Sequence, residues 1–131
     1  MQKIALAVIQ NTQGHVLIIK RKIPEESKTL TKLSWAFPGG RPEKQENMEQ
    51  TVIREIKEEV GLYVKIKSKL SSRQHPDFPV EITYFACETT SNQQAIPDDD
   101  EVSEILWVSP KKLKQYLTQN ISPDVQAYLR V

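Results

Sequence analysis

The segment from Asn47 to Val60 constrains this chain more than any other, because it reads as a helix with one apolar and one acidic arc. Asn47 is a good N-cap, Gln50 stands three residues later as in a capping box, and Gly61 supplies a C-cap. At ~100° per residue, Val52, Ile53, Ile56 and Val60 fall within the apolar arc. Glu55 and Glu59 are one turn apart and share the second arc with Glu58, while Lys57 points between the two. Glu59 lies close to the apolar edge, where a carboxylate is partly desolvated unless something positive meets it. Like charges at this spacing repel, and negative charge in a last turn opposes the helix dipole. A solvated acidic face is one reading. The other is function, which is where local rules are expected to break. A hard divalent cation would suit this arrangement: Mg²⁺ takes oxygen ligands, keeps waters and bridges a few carboxylates to phosphates. Pro38-Gly39-Gly40, turn chemistry just ahead of the helix, lets backbone approach a metal or phosphate without a Cβ in the way.

The rest of the chain reads as strands around this helix. Ile4–Ile9 and Val16–Ile19 flank Asn11-Thr12-Gln13-Gly14 as a hairpin, and Arg21–Leu33 reads as a polar loop. Trp35-Ala36-Phe37 is a short extended piece ended by the turn. Leu62–Leu70 alternates as a half-buried strand, Ser71–Pro79 is a polar loop, and Val80–Glu88 is a further strand. The acidic run Asp98-Asp99-Asp100-Glu101 leads to a strand at Ile105–Val108, then to helices at Lys111–Thr118 and Asp124–Leu129. No repeat or linker interrupts the pattern, so a single mixed α/β domain over residues 1–131 is expected.

Composition narrows the class. One cysteine, Cys87, rules out an intrachain disulfide, and no Cys/His spacing suggests a zinc site. Eighteen Lys and Arg against seventeen Asp and Glu leave a net charge of +1, which argues against a broad nucleic-acid or membrane surface. No apolar run approaches the ~20 residues that span a bilayer, and Met1–Gln10 is too short and alternating for a signal peptide. A cytoplasmic setting is the expectation.

From Gly40 the chain reads Gly40, five residues, Glu46, seven residues, Arg54-Glu55-Ile56, Lys57, Glu58-Glu59, Val60, Gly61-Leu62. This resembles the Nudix box, with each prescribed position matched over Gly40–Leu62. A looser resemblance extends to the opening hairpin, to Trp35–Gly40 and to the Trp107-Val108 strand with its following helix. The resemblance implies an α/β/α sandwich with a mixed sheet between helices. It also implies hydrolysis of a nucleoside diphosphate linked to another moiety, with Mg²⁺ or Mn²⁺. Carried over position by position, Glu55, Glu58 and Glu59 match metal-binding glutamates, and Gly40 matches a glycine whose carbonyl adds a ligand. Glu46 and Arg54 match a pair that orients loop and helix. Such an ion neutralises the diphosphate while its bound water attacks phosphorus and gives up a proton. Glu55 or Glu58 could take that proton. So could an acid in the later loop, with Glu101 the first choice and Glu104 the second.

Substrate contacts lie outside the box. Trp35 and Phe37 are candidates for base stacking, although core packing is the more ordinary role for such aromatics. Arg73 and His75 are loop candidates for phosphate or ribose, and Phe78 for the pocket wall. Lys20, Arg21 and Lys22 form a basic cluster that either steers an anion or solvates a loop start. The small size and the Trp35–Gly40 sequence look most like the MutT-like nucleoside triphosphate pyrophosphatases, which release a nucleoside monophosphate and pyrophosphate. Alternatives are an ADP-ribose or nucleotide-sugar pyrophosphatase, or a non-catalytic nucleotide sensor. A small-molecule nucleotide is the expected partner, with no nucleic-acid polymer and no membrane, and a homodimer stays open.

Overall fold

Alternation of side chains across the strands builds two apolar faces, and helices cover both. The computed structural model describes residues 1–22, 35–76, 79–89, 94–97, 101–117 and 121–131. Strands run over Gln2–Gln10 (β1), Val16–Arg21 (β2), Trp35–Ala36 (β3), Gly39–Gly40 (β4), Val64–Gln74 (β5), Val80–Thr89 (β6) and Val102–Val108 (β7). Helices cover Met48–Val60 (α1), Leu113–Tyr116 (α2) and Pro123–Leu129 (α3), with a 3₁₀ turn at Pro110–Lys112 ahead of α2. The sheet follows the order β3-β2-β1-β6-β5, with β4 paired to β1 and β7 to β2. It is mixed: β1 and β6 run parallel from Gln2 opposite Val80 to Gln10 opposite Glu88, and the other pairs are antiparallel.

Ala5, Ala7, Ile9, Leu17 and Ile19 face α1 and meet Val52, Ile56 and Val60 there. Their neighbours Val8, Val16 and Ile18 face the other way, against Leu113 of α2 and Val125 and Leu129 of α3. Each fully buried aliphatic side chain contributes about 1.5–3 kcal/mol of transfer free energy, so both layers are held by the same period-two pattern. This is the expected α/β/α sandwich with its mixed sheet. The cap assignments on α1 also hold. Asn47 Oδ1 accepts from the Gln50 N–H at 2.7 Å and Gln50 Oε1 accepts from the Asn47 N–H at 3.0 Å. Gly61 closes the helix with φ 69°.

Several boundaries differ from the sequence expectation. Ile53 is 42% exposed, outside the apolar arc. Thr51 is buried instead, its hydroxyl donating to Glu46 Oε1 and to the Asn47 carbonyl, both at 2.8 Å. The polar loop expected from Ser71 starts later, because β5 continues to Gln74. There the Ser72 and Thr83 hydroxyls meet at 3.2 Å and the Arg73 guanidinium lies 6.0 Å from the Tyr84 ring centre. Strand β7 starts at Val102, three residues before the expected Ile105. The helix expected over Lys111–Thr118 is reduced to the 3₁₀ turn and the four residues of α2; Thr118 lies outside the described residues. The opening hairpin joins β1 to β2 only beside its turn, with Gln10 opposite Val16. Further along, β1 takes Gly39 and Gly40 as partners, opposite Leu6 and Ala5. The two glycines expected as a turn thus form β4, and this brings the box onto the sheet.

Candidate active site

Gly39 can occupy this place because it has no side chain. Its φ is 147°, and a Cβ there would stand 2.0 Å from the Ala5 carbonyl oxygen. Gly40 is open for a different reason: a Cβ on it would lie 2.6–2.8 Å from the carboxylate atoms of Glu55. The α1 carboxylates therefore lie directly against β4.

Two arginines meet those carboxylates. Arg54 donates from Nε to Glu46 Oε2 at 2.7 Å and from Nη2 to Glu46 Oε1 at 2.9 Å, a two-pronged pair across the loop–helix junction. Its Nη1 reaches Glu55 Oε1 at 2.9 Å and Glu58 Oε1 at 2.7 Å, and Nη2 also donates to the Arg41 carbonyl at 2.9 Å. The Arg54 bond holds the Glu46 carboxyl well down, at about 2, helped by the Glu43 N–H. Bonding to Glu46 in turn lifts Arg54 above the ordinary guanidinium value.

Glu59 is met by Arg21, at the end of β2. Arg21 Nη1 donates to Glu59 Oε2 and Nη2 donates to the Gly39 carbonyl at 2.9 Å, while the Gly39 N–H donates to Glu59 Oε1 at 2.8 Å. The Glu59 side chain is 1% exposed and that of Arg21 is 37% exposed. Burial pushes the Glu59 carboxyl above its ordinary value, with Arg21 opposing. Burial does the same to Glu55; Arg54 opposes, and the charges of Glu58 and Glu101 add to the rise. The positive partner that a desolvated Glu59 calls for is thus present. Arg54, from within the helix, and Arg21, expected at a loop start, supply the charge.

A cleft of about 330 Å³ opens over these groups, lined by Arg21, Gly40, Glu55, Glu59 and Glu101 among others. Its apolar wall is Ile4, Leu6, Phe37 and Ile82. Of the expected site residues, Gly40, Glu55, Glu59, Glu101 and Phe37 meet here. Phe37 is buried against Tyr84, edge to face, so it serves as core and as wall. Glu58 is exposed and turned to Arg54, and Glu46 lies at the junction rather than in the cleft. Trp35 packs edge-on to Tyr116 at 5.8 Å, and the His75 N–H donates to the Val80 carbonyl at 2.8 Å. Neither they nor Arg73 line the cleft. Glu104 stands opposite Lys20 in the β2–β7 ladder. Asp98–Asp100 and Phe78 lie outside the described residues. Sequence reasoning missed Ile4, Leu6 and Ile82 as cleft residues, although Ile4 and Leu6 share one face of β1 by period two.

The donors are hard oxygens, and the space Gly40 leaves for the Glu55 carboxylate keeps backbone and carboxylate adjacent. That donor chemistry fits a divalent cation such as Mg²⁺. As placed, however, Glu58 and Glu59 are committed to the two arginines. Among the described residues no three His, Cys, Asp or Glu side chains are grouped to hold an ion. No helix among them is long and apolar enough to cross a membrane.

The NUDIX domain pattern matches residues 1–128. A Bacillus subtilis protein with the provisional name 8-oxo-dGTP diphosphatase is 32% identical over 117 residues, 88% of this chain and 72% of that protein. A Methanocaldococcus jannaschii protein named ADP-ribose pyrophosphatase is 40% identical over 74 residues, 56% of this chain and 41% of that protein. In fold, a C. elegans Ap4A hydrolase superposes with a TM-score of 0.74 at 18% identity, covering 99% of this chain and 93% of the other. With the domain pattern matched over residues 1–128, and with Glu55 and Glu59 of the box set against the β4 glycines, the chain belongs to the Nudix family of hydrolases.

Proposed function

We propose that this Nudix hydrolase is a divalent-cation-dependent nucleoside triphosphate pyrophosphatase that releases a nucleoside monophosphate and pyrophosphate. The observation that carries the reading is the cleft itself: three carboxylates, Glu55, Glu59 and Glu101, share one opening with an apolar wall of Ile4, Leu6, Phe37 and Ile82. A nucleotide complements both parts once a divalent cation stands between carboxylates and phosphates, because its base offers a flat face to the apolar wall. The resemblance to the B. subtilis protein supports the triphosphate class, because it extends over most of both chains.

In this reading Glu55, Glu58 and Glu59, with the Gly40 carbonyl, would hold Mg²⁺ or Mn²⁺. The ion, once bound, would supply charge neutralisation of the diphosphate and a more acidic water. Glu101, which lines the same cleft as Glu55, takes the proton from the attacking water through its carboxylate. The Glu46–Arg54 pair fixes the loop against the helix so that Glu55 and Glu58 keep their positions. Ile4, Leu6 and Ile82 exclude water from one side of the base.

An ADP-ribose pyrophosphatase is the second reading, favoured by the M. jannaschii protein's 40% identity over 74 residues. The test is a Mg²⁺-dependent screen of canonical and oxidised (d)NTPs, ADP-ribose, dinucleoside polyphosphates and nucleotide sugars, with products identified. Pyrophosphate release from a triphosphate supports the proposal, and two monophosphate products from ADP-ribose replace it with the second reading. Tight nucleotide binding without turnover of any compound points to a sensor. Glu59→Gln, which keeps the side chain's volume, is expected to abolish turnover while the far-ultraviolet circular dichroism stays native.

A further inference from the structure

Both oxygens of Glu59 are already engaged, and the two partners are not equivalent. The Gly39 N–H is part of the backbone and stays where β4 puts it. The Arg21 guanidinium is a cation on a long side-chain stem, held by Glu59 Oε2 on one prong and by the Gly39 carbonyl on the other. Its strand changes register against β7 between Lys20 and Arg21, the kind of irregularity that re-aims a side chain. Exposure separates the pair further. Glu59 is closed off at 1%, whereas Arg21 at 37% opens on the cleft. If one member of the pair moves, it is the arginine.

We infer that Arg21 is a resident cation that a divalent ion must displace from Glu59, so that metal entry and delivery of a guanidinium into the cleft are one event. The inference rests on the proposed assignment of Glu59 to the ion and adds a regulation of that site. Two cations cannot share one carboxylate oxygen without repulsion, and the displaced guanidinium has the cleft in front of it. There it faces the region that the phosphates would occupy. Arg21 thereby lowers the affinity of the nucleotide-free protein for the ion, since only the fraction with Glu59 released is competent to bind. A bound phosphate chain gives Arg21 a new partner and restores that affinity. Arg21 is in this sense a positioning residue that couples ion to nucleotide.

The experiment is Mn²⁺ binding to the intact protein, read by calorimetry and by the electron paramagnetic resonance of free Mn²⁺, with no turnover required. Arg21→Met removes the charge and keeps the stem; it is expected to bind Mn²⁺ roughly tenfold more tightly than wild type without nucleotide. A non-hydrolysable triphosphate is expected to tighten Mn²⁺ binding in wild type and much less in Arg21→Met. Equal or weaker Mn²⁺ binding by natively folded Arg21→Met would make Arg21 a static support and overturn the inference alone. Should Arg21→Met fail to fold, the wild-type protein still decides. Its Arg21 guanidinium resonances are expected to shift and broaden as Mg²⁺ saturates the site, and unchanged resonances at saturation would overturn the inference. Mn²⁺ binding that survives Glu59→Gln would place the ion elsewhere, and the site assignment would fall with the inference.

Discussion

Gly39 and Gly40 are adjacent, yet alanine at each is expected to break different things. At Gly39 the new Cβ would lie 2.0 Å from the Ala5 oxygen, 2.8 Å from Leu6 Cα and 2.9 Å from Leu6 Cδ2. The first two are backbone atoms of β1, which is tied to β6 along its whole length, so they cannot step aside cheaply. A non-glycine residue at a φ of 147° adds about 1–3 kcal/mol of strain. Overpacking against a fixed neighbour adds typically ~1–3 kcal/mol. The sum, about 2–6 kcal/mol, is a large part of the ~5–15 kcal/mol that holds a domain together. Its midpoint should therefore fall by roughly 10 °C or more. At Gly40 the φ is not positive, and the atoms met belong to the flexible end of Glu55. That side chain swings aside, so Gly40→Ala is expected to lose no more than about 1 kcal/mol. Its turnover should still drop by about a hundredfold, the scale of a 1 Å misplacement of a reacting group. Urea unfolding and pyrophosphate release on both variants make the comparison. A Gly39→Ala protein as stable as wild type, or a Gly40→Ala protein that is fully active, would refute the reasoning.

Further outcomes are expected. Arg54→Lys keeps the charge but loses the two-pronged bond to Glu46, and should cost about 1–2 kcal/mol in urea unfolding together with a fall in kcat. Glu101→Gln should slow turnover at saturating Mg²⁺, whereas Glu104→Gln, set opposite Lys20 outside the cleft, should not; equal effects would remove Glu101 from its role. Carboxyl-carbon NMR of the metal-free protein should show Glu46 still ionised at about pH 3, since its bond to Arg54 stabilises the fold above the ordinary value of 4.5 and is lost as pH falls toward 2. Glu55 and Glu59 run the other way: buried, they titrate above 4.5, and the stability they give when protonated disappears as pH rises through those raised values. Reversal of that order in the titration would contradict the contacts drawn for them.

What the sequence made legible was local. The caps of α1 involve residues three or four apart, and the strands announce themselves by period two, so both could be read from a line of text. The box glutamates were legible as a pattern, but not their partners. Arg21 and Glu59 are 38 residues apart, and nothing near either names the other. Arg54 sits among the glutamates it binds, yet wheel geometry alone did not show one guanidinium serving Glu46, Glu55 and Glu58 together. The end of β5 was hidden because its side chains are polar. Ser72 meets Thr83 and Arg73 meets Tyr84 across the ladder, pairings that hydropathy records only as loop-like residues. The pocket wall came from strands whose alternation was visible, but which face of β1 looks into the cleft depends on where β4 docks.

The parallel pairing of β1 with β6 has a consequence for assembly. Residues 2–10 find their main partner about eighty positions downstream, so the middle of the sheet cannot close until Val80–Thr89 has been synthesised. Such distant pairing raises contact order and slows folding, and it leaves an apolar strand waiting for its mate. The caps and backbone hydrogen bonds of α1 are short in sequence, so that helix can begin to form before the sheet closes. On the ribosome the helix that carries Glu55 and Glu59 would then emerge before the strand that aims it, and Glu101 would join the cleft only after both.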